Sequence, residues 1–167
     1  QNNTFSRMRL IREFKMLRMS DSERPIILSL GNTVGYPLFT PKPDLFGTTM
    51  YLIQYEKNKY SMTKFKPWYF QLRRALVRII GFRSLIIHEL QAEPWGPKAN
   101  WEMSDSEQAM SMNPEQIVKC IDFAKKSGMK YIDLWGGEWW YWRKTTSADV
   151  ALWTTLQSGT IGSRHFA

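Results

Sequence analysis

The 167-residue chain has a single cysteine, Cys120, which excludes an internal disulfide framework and any multi-cysteine zinc site. It has two histidines, and His165 lies in the C-terminal tail, so a two-histidine metal site is not expected. No run of about 18 apolar residues occurs, and no membrane-spanning helix is therefore expected. The N-terminal residues, Gln1-Asn-Asn-Thr4, carry neither a start Met nor an apolar signal core and read as a processed or truncated end. No Gly-x-Gly-x-x-Gly or Gly-x-x-x-x-Gly-Lys-Ser/Thr pattern follows any apolar run, which leaves nucleotide binding without support and no cofactor implied. No self-similar repeat of 20–50 residues is visible, against a solenoid or propeller. Acidic residues are missing from 57 to 88, a stretch with eight Lys and Arg, so the net charge of +8 is largely local.

Aromatic residues are abundant instead, at 14% of the chain, with eight tryptophans. Six of these (Trp95, Trp101, Trp135, Trp139, Trp140 and Trp142) fall between positions 95 and 142. Each buried indole N–H needs an acceptor, so one core rarely gathers so many. The basic stretch contains a helix over 67–81 whose apolar positions Phe70, Leu72, Leu76, Val77 and Ile80 leave Arg73, Arg74 and Arg78 on a solvated face. No nucleic-acid motif accompanies it, and no nucleic-acid partner is expected. A basic first helix over 5–19, diluted by Glu13, reads as a cover for the domain rather than a membrane binder.

The remaining pattern alternates. Short apolar runs at 26–30, 45–51, 84–89 and 131–135 have the form of buried parallel strands, and helices are expected at 114–126, opened by Asn113 and Pro114, and around 150–156. The series predicts an α/β fold with a parallel sheet. Chemistry-bearing side chains collect at the strand exits: Asn32, Tyr51, Glu89, Trp135 and Glu138. In parallel α/β folds that end of the sheet binds ligands.

Three carboxylates stand out. Glu89 ends an otherwise apolar strand, where an unpaired charge is costly. Glu138 follows the next strand among aromatic residues, and neighbouring strand exits could bring the two within about 5–10 Å. Glu93 lies four residues beyond Glu89, about 13 Å away if extended, and pairs with it only if the loop folds back. Two carboxylates in an aromatic cleft suit glycoside hydrolysis, with one as acid and one to attack or activate water, and indole faces stack on sugar rings. Taken singly, each acid could equally be a solvated loop residue. Strict alternation places His88 on the side of its strand opposite Glu89, as either a hydrogen-bonded structural residue or a ligand. Cys120 shares a helix with Ile117, Ile121 and Ala124 and reads as core.

Gly47-Thr-Thr-Met-Tyr51, Glu89-Leu-Gln-Ala-Glu-Pro-Trp95 and Leu134-Trp-Gly-Gly-Glu-Trp-Trp-Tyr-Trp142 resemble, in order, cellulase-like members of glycoside hydrolase clan A, the retaining (β/α)8-barrel (TIM-barrel) enzymes. The resemblance spans roughly residues 5 to 155 and implies that the chain is the C-terminal half of such a barrel, strands five to eight, over 1–157 with a loose tail at 158–167. It makes Glu89 the nucleophile, Tyr51 its hydrogen-bond donor and Trp135 the sugar platform. Gln91, Glu93, Trp95 and Trp139 are placed around an oligo- or polysaccharide substrate, and Glu138 becomes a substrate-binding or tuning carboxylate. The family's acid/base follows an Asn, as Asn-Glu-Pro; here Ala92-Glu93-Pro94 lies in the wrong unit, which implies an acid upstream of Gln1. An extracellular or cell-surface setting is implied too. The alternative is a non-catalytic carbohydrate-binding or interaction domain.

Overall fold

A computed structural model describes residues 7–31 and 43–161. Asn32 and most of the Pro/Gly-rich loop after it lie outside the described residues. The elements in order are α1 (Arg7–Ser20), β1 (Ile27–Ser29), β2 (Leu45–Met50), β3 (Ile53–Glu56), β4 (Lys59–Met62), α2 (Pro67–Gly81), β5 (Ser84–Gln91), a 3₁₀ turn (Asn100–Glu102), α3 (Asp105–Ala109), α4 (Pro114–Lys126), β6 (Ile132–Trp135), α5 (Gly137–Thr146) and α6 (Ala151–Ile161). The helix α6 takes in the first residues of the expected tail; 162–167 are not described.

Four strands form one parallel sheet in the order β1-β2-β5-β6. That order never reverses, and right-handed crossovers then place successive helices on one face. Accordingly α2 and α4 pack against β5 and against each other. The side chains of Phe46, Leu85, Ile87 and Leu90 point into that layer and form the core with Phe70, Val77, Ile117, Cys120 and Ile121. Burial drives the Cys120 thiol up to about 12, as suits a core residue. The helix α4 starts as its sequence dictates, with the Asn113 side chain accepting from the Gln116 N–H at 2.8 Å and Pro114 in the first turn.

The structure departs from the sequence reading in four places. First, β3 and β4 form an antiparallel hairpin that the basic stretch disguised; Lys57 and Asn58 both have positive φ, the geometry of a tight two-residue hairpin turn without its usual glycine. Second, α2 buries Phe70, Arg73 and Val77, while Leu72 and Ile80 are largely exposed. Arg73 is only 1% exposed and donates to Thr48 Oγ1 (2.7 Å) and the Gly31 carbonyl (3.2 Å), so it does not belong to the solvated face. Third, a glycine at a helix end is expected to take the left-handed cap position, but Gly81 remains in the helix and Phe82 takes that position. A Cβ at residue 81 would sit 3.3 Å from the Phe46 ring, so Gly81 serves a close approach rather than the cap. Fourth, the residues after β6 form α5, with Glu138 in its first turn and Arg143 and Lys144 in its last, as the helix dipole favours.

Candidate functional site

The site gathers at the C-terminal end of the sheet, and a β-bulge in β5 shapes it. Thr48 pairs with Ile87 but Thr49 with Glu89, and on the other side Ile87 pairs with Ile132 but Leu90 with Leu134. Both neighbours therefore skip one residue of β5, which breaks the alternation around His88 and Glu89. His88 is consequently not across the sheet from Glu89, as alternation alone predicts. Its Nε2 lies 3.3 Å from Glu89 Oε1 and 2.8 Å from Ser29 Oγ. Gly47 of β2 makes room for the ring, since a Cβ there would fall 2.5 Å from His88 Cδ2. His88 is thus a hydrogen-bonded residue directly beside Glu89.

On its other oxygen, Glu89 accepts a short hydrogen bond from the Tyr51 hydroxyl. Burial, above all, raises the Tyr51 phenol far above its ordinary range, and the charges of Glu89 and Glu93 add to the effect. Tyr51 is therefore a permanent donor to Glu89. Its ring leans on Trp95, with centroids 4.6 Å apart.

Gln91, expected beside the substrate, has no exposed surface. Its Oε1 accepts from the backbone N–H groups of Leu52 and Ile53, both at 2.9 Å, and its Nε2 donates to the Ile53 carbonyl at 2.8 Å. The residue supports the chain that follows Tyr51 instead of meeting a ligand.

Beyond the strands, the exits of β5 and β6 are stitched together. The Ala92 N–H donates to the Trp135 carbonyl at 3.0 Å, and the Trp140 indole donates to the Ala92 carbonyl. Gly136, at φ 114°, turns the chain against Glu93; a Cβ there would lie 2.4 Å from the Glu93 Cβ. This brings Trp135 Nε1 to 2.8 Å from Glu93 Oε1, while Asn100 Nδ2 reaches Oε2 at 3.1 Å. The loop of Trp95 is fixed by buried Ser111, whose Oγ accepts from the Trp95 N–H and donates to its carbonyl, both at 2.8 Å.

Glu93, Asn100, Trp101, Trp135, Glu138, Trp139 and Trp142 line a cavity of about 430 Å³. Of the expected site residues, Glu93, Trp135, Glu138 and Trp139 meet there; Glu89, Tyr51, Gln91 and Trp95 do not line it. Asn100 carried no sequence signal, because a 3₁₀ turn delivers it. Glu93 links the two groups along the chain, four residues beyond Glu89. Behind the cavity, Arg143 is buried over the Trp139 ring and binds Asp149, Asp105 and Gln108, anchoring α5 to α3 and to the turn before α6.

The chain matches no family model, no curated protein and no solved structure. A carboxylate held by a tyrosine at a strand's C-terminal end can act as a nucleophile or a base, and the adjoining indole cavity can hold a ring-shaped ligand.

Proposed function

We propose that the chain is the C-terminal half of a (β/α)8 retaining glycosidase, with Glu89 as the nucleophile and the indole cavity holding saccharide next to it. The observation that carries this reading is Glu89 itself, an ionisable group near the C-terminal end of β5, held by Tyr51 and His88 and followed four residues on by Glu93, which lines a tryptophan-rich cavity. A singly wound parallel sheet with sequential strands is the arrangement that four consecutive β/α units of such a barrel would have.

Tyr51 holds one Glu89 oxygen in place while the carboxylate attacks the anomeric carbon. The carbon–leaving-oxygen bond breaks as the ester forms, and water then hydrolyses the ester to release the sugar. The resemblance assigns the leaving-group proton to a residue upstream of Gln1, so the test uses a leaving group that needs none. The full-length protein is incubated with 2,4-dinitrophenyl 2-deoxy-2-fluoro-β-glycosides of gluco and manno configuration. Intact-mass and peptide analysis should find a glycosyl adduct on Glu89, lost in Glu89→Gln. No adduct, or one that persists in the variant, refutes the assignment.

The second reading is a non-catalytic carbohydrate-binding domain. One observation favours it: the cavity lining does not include Glu89. It predicts saccharide-dependent tryptophan fluorescence that is unchanged in Glu89→Gln, with no adduct on the wild type.

A further inference from the structure

The indole cavity is one-sided in its charge. Its lining includes two carboxylates, Glu93 and Glu138, and no lysine, arginine or histidine. Among the described residues neither carboxylate forms an ion pair, and Arg143, the nearest buried cation behind the wall, is held by Asp105 and Asp149. The chain as a whole carries +8, so this anionic spot is not a consequence of its overall charge.

The available hydrogen-bonding groups are equally one-sided. Trp135 and Asn100 both direct their donors to Glu93, fixing that carboxylate without neutralising it. Four indoles complete the lining, and their faces attract cations through the ring quadrupole. The complementary ligand thus bears a positive charge for the carboxylates and the indole faces.

We infer that the cavity binds an amino sugar in its protonated form, a glucosamine-type unit, in preference to a neutral hexose. This rests on the saccharide reading above and names its substrate class. Glu138, exposed at the start of α5 and paired with no cation among the described residues, is the carboxylate that meets the ammonium group, while the prearranged Glu93 accepts from ring hydroxyls.

The full-length protein is titrated with glucosamine trimer, cellotriose, N-acetylglucosamine trimer and tetramethylammonium, read by tryptophan fluorescence and calorimetry at pH 6. The glucosamine trimer should bind about two- to fivefold more tightly than either neutral trimer, the order expected of an ammonium–indole contact at an open site. That advantage should shrink in high salt and in Glu138→Gln. Cellotriose binding as tightly as the glucosamine trimer, or no trimer binding, overturns the inference. Tetramethylammonium binding as tightly as the glucosamine trimer would show a simple cation site and also overturn it. A Glu89 adduct without amine preference leaves the glycosidase reading standing and sinks this one; amine preference without an adduct does the reverse.

Discussion

The buried amide of Gln91 offers a quantitative test of how the site is supported. Gln91→Leu keeps the side chain's approximate size but removes three hydrogen bonds at once, to the N–H groups of Leu52 and Ile53 and the carbonyl of Ile53. Leu52 is buried, so its N–H would have no route to water, whereas half-buried Ile53 could recover part of its loss by solvation. At about 1–3 kcal/mol per orphaned buried group, discounted for Ile53, the expected loss is about 3–5 kcal/mol. That is a large share of the ~5–15 kcal/mol that stabilises an ordinary domain. Urea unfolding followed by tryptophan fluorescence should show a lowered midpoint with an unchanged slope. Gln91→Glu separates hydrogen bonding from packing. At neutral pH its carboxylate can accept from both N–H groups but faces the Ile53 carbonyl without a proton. Lowering the pH protonates it and restores that donor, so its deficit should shrink in acid while that of Gln91→Leu should not follow. A loss below about 1 kcal/mol in Gln91→Leu would refute the view that this amide holds the chain after Tyr51.

Three further outcomes follow from named contacts. Gly136→Ala must fit a side chain 2.4 Å from the Glu93 Cβ at φ 114°, so it should displace Glu93 from Trp135 and weaken saccharide binding in calorimetry; unchanged affinity would argue against Glu93 in the site. The Cys120 thiol, raised to about 12, should resist alkylation at pH 8 in the native protein and react once unfolded; rapid native labelling would contradict the core placement. Asp149 is held below its ordinary 3.8, chiefly by the Arg143 hydrogen bond. Its contribution is therefore present above about pH 4 and lost as the pH falls through the lower folded value. Asp149→Asn should destabilise the protein by about 1–3 kcal/mol at pH 7, with the difference from wild type closing in acid denaturation. A constant difference down to pH 2 would exclude the ion pair as its origin.

Much of this architecture is legible along the chain because its signals are local. Apolar runs of strand length, the Asn113-Pro114 cap and helix-spaced apolar residues mark the parallel strands and α4 without reference to anything distant. The same locality explains the hairpin that escaped notice: the Lys57-Asn58 turn lacks a glycine, and the cross-strand pair Tyr55–Tyr60 falls at the start of the basic run. The exposed strand-exit indoles were visible as a cluster, but which of them line a cavity was not.

What the sequence determines by itself is the order of the four parallel strands and of α1, α2, α4 and α6, and the residue types at the strand exits, because these follow from patterns a few residues long. Only the tertiary structure decides how those residues meet. The bulge that turns His88 toward Glu89 is a mismatch in pairing with β2 and β6, so no single strand encodes it. Gln91 becomes support because the chain beyond β2 offers it two N–H groups and a carbonyl. Glu93 joins Trp135, Asn100 and Glu138 around one cavity because Gly136 lets two strand exits approach within the space of a side chain, a long-range contact that spacing along the sequence does not measure.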